Sequence, residues 1–228
     1  MTHTLRTLCI GGLALIVVAG TGCARDQGAG RIADLPAYYG TRPAPIQPPR
    51  AIVKHWTPKL PSGKRAGWIP PGGISDRWEC IVIHHSAGDH DTPRSMRDYH
   101  VNVRGWDALG YHFVIGNGVA YGDGQVFVGE RWTKQMHGAH CKTPGNYYNE
   151  HGIGICLIGN LEKHEPTPKQ MEALARLISF LTRKRGIASS KIFTHGGVTN
   201  RTACPGRYFS LARILHTLSM RTVSASSQ

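Results

Sequence analysis

Beyond residue 75 this chain alternates strand-like and helix-like segments, which predicts an α/β domain with a single core. Three observations carry that prediction. The run CIVI at 80–83 is apolar on both alternating faces, as in a central strand covered on two sides. GIGICLI at 152–158 is a second buried run, and its glycines point to close approach of another segment. Between it and the next strand, residues 168–185 carry an apolar stripe at helical spacing.

In order, the strand at 80–83 runs into His84, His85 and Ser86, so two histidines stand where a strand opens into a loop. Residues 93–103 read as a helix, with Thr92 as cap, Pro93 in the first position, Met96, Tyr99 and Val103 on one face, and Gly105 as the stop. Residues 111–115 form the second strand, and Gly116-Asn117-Gly118 gives a hairpin-type turn signal before a short strand at 126–129. The fourth strand is 152–158. The long helix at 168–185 has Thr167 as cap, Pro168 at its first position, Gln170 completing a capping box and Gly186 ending it. Met171, Leu174, Ala175, Ile178 and Leu181 form its stripe, a pattern of core packing. A short strand at 192–194 ends at His195, and a last helix at 208–220 turns Leu211, Ile214, Leu215 and Leu218 inward.

Residues 1–22 read as a secretory signal peptide. Arg6 precedes an uncharged run whose apolar centre at 8–18 leads into Ala19, Gly20, Thr21 and Gly22, then Cys23. A run of this length also lies near the lower limit for a bilayer span, but Gly11, Gly12, Gly20 and Gly22 weigh against that reading. The exit resembles a bacterial lipoprotein signal, which implies lipidation of Cys23 as a new N-terminus, although Gly20 stands where that pattern usually has leucine. Cleavage and secretion is the alternative. Ala24 behind the cysteine resembles the outer-membrane sorting choice of a two-membraned bacterium. Residues 23–75 hold nine of the 14 prolines and no sustained apolar periodicity, so they are expected to form a tether, from which Trp56, Trp68 and Ile69 could dock locally on the domain. The folded domain is then 76–220, with a tail at 221–228.

The formal net charge is +13, and loss of residues 1–22 removes only Arg6 from the excess. Such a charge favours polyanionic partners, and export excludes nucleic acid in favour of a membrane surface or an anionic wall. Four cysteines remain after Cys9 and Cys23: Cys80, Cys141, Cys156 and Cys204. Cys80 and Cys156 fall in apolar runs as small buried hydrophobes. Pairing of Cys141 with either stays open.

The stretch THGGVTNRTACPG at 194–206 places His195 and Cys204 nine residues apart in a glycine-rich segment expected to be a loop. An imidazole and a thiolate suit zinc, and His84, also at a strand end, would be a third ligand. Two histidines and one cysteine leave the fourth tetrahedral position open, the mark of a catalytic site. With net charge +1 on such a centre, a bound water can ionise near neutral pH. Tyr111 is suited to a hydrogen bond to water or a developing oxyanion, although a strand tyrosine is ordinarily core. His100 and His112 read as structural partners.

IVIHHSA (81–87), RGWDALGYHFVIGNG (104–118), HGAHC (137–141), NEHGIGICLIGN (149–160) and TACPGRYF (202–209) together resemble the zinc-dependent N-acetylmuramoyl-L-alanine amidases of the phage lysozyme and peptidoglycan recognition protein type. The resemblance covers about residues 78–218. It implies a central mixed sheet flanked by helices, Zn2+ as cofactor, and His84, His195 and Cys204 as its ligands. It further implies catalytic roles for Tyr111 and for Thr202, which stands where phage members carry a lysine and can donate a hydrogen bond but carry no charge. His140, Asn149, His85 and Trp106 are candidates for substrate contact. After His195 the family often has a basic and then an acidic residue; Gly196 and Gly197 stand here, so His195 lacks a local carboxylate to orient it.

The implied activity is hydrolysis of the amide between N-acetylmuramic acid and L-alanine in peptidoglycan or muropeptides. The chain is expected to act as a monomer, exported and lipid-anchored on a membrane facing the periplasm or cell wall. A non-catalytic wall-binding module is the alternative; Cys204 argues against it, since binding alone requires no thiolate. An exported metalloprotease would share the zinc chemistry, but no HExxH helix is present.

Overall fold

The computed structural model describes residues 68–225. The five strands are β1 (Cys80–His85), β2 (Phe113–Ile115), β3 (Val126–Val128), β4 (Gly152–Leu157) and β5 (Ile192–Thr194), in the spatial order β3-β2-β4-β1-β5. β4 and β5 flank β1 in parallel, β2 joins β4 in parallel, and β3 closes the edge antiparallel to β2, so the sheet is mixed. The central pair β1 and β4 is buried along its whole length. A strand hydrogen-bonded on both edges and covered on both faces has no solvent side, which is why neither sequence alternates apolar with polar residues.

Side-chain alternation divides the core. Ile81, Ile83, Phe113, Ile115, Ile153, Ile155 and Leu157 join Leu174, Ile178 and Leu181 of α4 (Pro168–Arg185) and Ile214 of α6 (Leu211–Ala225). On the opposite face, Val114, Cys156 and Ile158 meet Leu109 and Met96 of α1 (Pro93–Asp98). The α4 cap is a full box, with Thr167 and Gln170 each bonding the other's backbone amide. The Gln170 side-chain amide also donates to the carbonyls of Ile115 and Ile158, tying the start of α4 to the ends of two strands. Gly186, at φ 68°, ends the helix in the left-handed conformation that glycine adopts without penalty.

The structure departs from the sequence-based expectations in four places. Helix α1 ends at Asp98, and a wider π-helical turn covers Tyr99–Val103. Gly116-Asn117-Gly118 does not form a tight hairpin: β2 and β3 are joined by a longer loop in which Gly116 N donates to the Gln125 carbonyl and Gly118 N to that of Tyr121. His195–Thr199, expected as loop, forms a short helix, α5. The last helix begins at Leu211 and runs to Ala225, through most of the expected tail. Trp68 of the expected tether docks on the domain, as its sequence reading allows. Trp68 is buried, its carbonyl accepts from the Trp132 indole, and its ring packs edge-on to Phe180 at 5.4 Å. The expected signal peptide, Cys23, Trp56 and the rest of the expected tether to residue 67 lie outside the described residues. Two shorter helices, α2 (Glu130–Thr133) and α3 (Tyr147–Glu150), lie in the connections before β4.

Candidate metal centre

The site lies at the carboxyl ends of β1 and β5, where parallel strands open into loops and α/β sheets commonly bind ligands. The β1–β5 register pairs Ile83 with Thr194, so the residues that follow them, His84 and His195, emerge at the same level. Their rings lie 4.6 Å apart between centroids. His195 is the first residue of α5, whose cap is the Thr194 hydroxyl accepting from Gly197 N.

Cys204 is brought back to these histidines by a folded return. Asn200 ends α5 in the left-handed region, Gly196 N donates to the Cys204 carbonyl at 2.6 Å, and Cys204 N donates to Thr202 Oγ1 at 3.1 Å. This return accounts for the glycine after His195. A Cβ at Gly196 would lie 2.5 Å from the Thr202 carbonyl and 2.9 Å from that of Cys204. The Cys204 sulfur accepts from the His85 backbone amide at 3.4 Å and lies 3.8 Å from His84 Nδ1.

The three donor atoms of His84, His195 and Cys204 all lie within 4.8 Å of one another, and all three residues are buried. Burial drives the His84 imidazole well below its ordinary range, aided by the His195, His140 and His85 rings, and lowers His195 to about 4. Burial likewise pushes the Cys204 thiol up to about 12, against the pull of the His85 amide. Two neutral imidazoles and a sulfur thus converge, and among the described residues no cation is hydrogen-bonded between them. The donor set fits a borderline-soft divalent cation, whose charge would offset the cost of a buried thiolate.

Tyr111 is half-buried beside this cluster, its ring centroid 5.2 Å from that of His84. Thr202 lies on the return, its oxygen engaged by Cys204 N. Trp106 is half-buried, 4.6 Å from the His100 ring, and His100 Nδ1 accepts from Gly110 N.

Three of the four candidates for substrate contact are buried and hydrogen-bonded within the protein. His85 points to the opposite sheet face from His84, as strand alternation requires, and its Nδ1 accepts from Leu161 N. His140 hydrogen-bonds His84, with 3.1 Å between His140 Nδ1 and His84 Nε2. Asn149 accepts from the backbone amides of His140 and Cys141, each at 2.8 Å.

One contributor has no sequence signal. Arg131, in α2, resembles any helix-surface arginine, yet it is 1% exposed. Its Nε donates to the Leu109 carbonyl and its Nη1 to that of His137, clamping the loops that deliver Tyr111 and His140.

Comparison with known proteins places this architecture. Residues 75–207 match the family model described as N-acetylmuramoyl-L-alanine amidase, and the chain belongs to that family. It is similar to peptidoglycan-recognition protein SC1a of Drosophila melanogaster, 29% identical over 154 residues, spanning 64% of this chain and 76% of that protein. The N-acetylmuramoyl-L-alanine amidase of Sus scrofa is 31% identical over 115 residues, 50% of this chain but 17% of its own length. Among solved structures, the N-acetylmuramoyl-L-alanine amidase LysC of Clostridium intestinale is 31% identical with a TM-score of 0.54, covering 67% of this chain and 92% of that one.

Proposed function

We propose that this chain is a zinc-dependent amidase that hydrolyses the bond between the lactyl group of N-acetylmuramic acid and L-alanine in peptidoglycan or its muropeptides. The observation that carries the reading is the convergence of His84, His195 and Cys204 in one buried cluster. These residues would hold the ion. Zinc, when bound, supplies Lewis acidity to polarise a carbonyl and makes water nucleophilic at neutral pH.

The reaction adds one water across the amide, its hydroxyl to the lactyl carbonyl carbon and its proton to the alanine nitrogen. Tyr111, whose ring lies beside that of His84, would hydrogen-bond the attacking water or the developing oxyanion. Thr202, whose oxygen already accepts from Cys204 N, keeps its hydroxyl proton for one hydrogen bond and shapes the return that delivers Cys204. Trp106 offers a partly exposed ring for a sugar or stem peptide.

A non-catalytic recognition module is the second reading, favoured by the names of several relatives. It gives no role to a buried sulfur turned toward two imidazoles. Incubation of the purified, zinc-loaded chain with wall sacculi separates the two: the amidase releases new L-alanine amino termini, and a chelator or Cys204→Ser stops the release. Release at the wild-type rate by Cys204→Ser contradicts the zinc mechanism, and binding without new termini supports recognition.

We also propose that the chain is exported and anchored through a lipid on Cys23, its net charge of +13 favouring an anionic membrane or wall. Radiolabelled palmitate should enter the wild-type chain and not Cys23→Ser; equal labelling would refute the anchor.

A further inference from the structure

We propose that His140 is a positioning residue for the metal centre, fixing His84 in the tautomer and orientation that turn its Nδ1 toward Cys204 and His195. The inference rests on the zinc reading above and deepens it.

The tautomers follow from a chain of three hydrogen-bonding groups. His84 Nδ1 faces the Cys204 sulfur at 3.8 Å, and its Nε2 lies 3.1 Å from His140 Nδ1. At the far side of the second ring, His140 Nε2 lies 3.2 Å from the Gly152 carbonyl oxygen. A carbonyl can only accept, so His140 carries its proton on Nε2, and its Nδ1 presents a lone pair. That lone pair accepts from His84 Nε2–H, leaving the His84 lone pair on Nδ1, the side facing the other two ligands. One backbone carbonyl thereby sets two imidazoles in series. The ring is buried, where an unpaired charge is costly, so it stays neutral. An outer partner that fixes ring orientation and raises ligand basicity is a general requirement of histidine metal sites, more often met by a carboxylate.

The surroundings hold His140 in this place. Strand β4 presents Gly152 and Gly154 toward the face of β1 that carries Cys80, Val82 and His84. The resulting trough takes the His140 ring, and a Cβ at Gly154 or at Gly138 would collide with it. Asn149 pins the backbone by accepting from both His140 N and Cys141 N, while its own side-chain amide donates to Asn146 Oδ1. At 8% exposure the ring has little surface to offer a substrate.

Two measurements on the full chain test this. Long-range proton–nitrogen spectra of the zinc-loaded wild type should show both His84 and His140 protonated on Nε2; a proton on His84 Nδ1, or on His140 Nδ1, would overturn the proposal without any variant. Zinc affinity by chelator competition, with the absorption of the cobalt(II)-substituted protein, should then separate His140→Leu from His140→Asn. Leucine fills space but accepts nothing, and should weaken metal binding by about 10–100-fold and change the cobalt spectrum. Asparagine restores an acceptor near the place of Nδ1 and should recover most of both. Wild-type affinity in folded His140→Leu, or equal loss in the two variants, contradicts the role. A wild-type chain that takes up no zinc defeats the amidase reading itself, whereas zinc uptake with reversed tautomers defeats this inference alone.

Discussion

At the scale of single residues, the cluster asks more of its glycines and its sulfur than of any charged group. The Cys204 sulfur sits buried among groups that stay neutral, so its ionisation depends on a cation being there. Cys204→Ser removes a ligand outright and should weaken zinc binding by more than the roughly 10–100-fold typical of an outer partner, read by chelator competition. Gly154→Ala should destabilise the domain by about 1–3 kcal/mol in urea unfolding, because the added carbon meets the His140 ring inside a packed trough. A loss under about 0.5 kcal/mol would show that the ring moves aside freely. The three clustered residues were legible in the sequence because they sit in distinctive local strings at strand ends. The trough was not. It joins residues from β4 to a loop histidine, and neither half signals the other; Gly196 likewise reads as a departure until the return from Thr202 to Cys204 shows why no side chain fits there.

At the scale of elements, the best-patterned segments were predicted best. Helix α4 carries its cap, first-turn proline, stripe and terminating glycine in consecutive sequence, and its bounds follow from them. Helix α5 holds two glycines in five residues, poor helix formers, and forms because Thr194 caps it and the Cys204 carbonyl receives Gly196 N. The β2–β3 turn failed as a hairpin signal because the chain between those strands is anchored elsewhere: Asn117 Nδ2 donates to the Asp89 carbonyl, holding the turn to the loop after β1. Thr167→Ala should cost about 1 kcal/mol through the lost α4 cap. Gln170→Ala should cost about 1–3 kcal/mol, since it strips a donor shared by the buried carbonyls of Ile115 and Ile158. Denaturant midpoints with unchanged slopes check both; a neutral Gln170→Ala would mean that water replaces the side chain.

At the scale of the whole molecule, the domain is a parallel core whose strand ends meet at one site, backed by histidines kept neutral. Burial lowers His112 to about 3 and His100 to about 4 from an ordinary 6.5. The unfolded chain therefore binds more protons than the folded one below pH 6.5, and stability falls as pH falls. Each ring contributes up to about 1.4 kcal/mol per pH unit between 6.5 and its folded value, where the loss levels off. Urea midpoints between pH 7 and pH 4 should decline accordingly, and a flat profile would contradict burial of neutral rings. The central claim, amide hydrolysis at the His84–His195–Cys204 centre, is tested most directly by mass spectrometry of the fragments that the zinc-loaded chain releases from sacculi. The account predicts stem peptides that begin with a free L-alanine amine, glycan strands that keep the lactyl carboxylate, and one water added per cut. Products still joined at the lactyl–alanine amide, or no products while the chain remains bound to the wall, would contradict it.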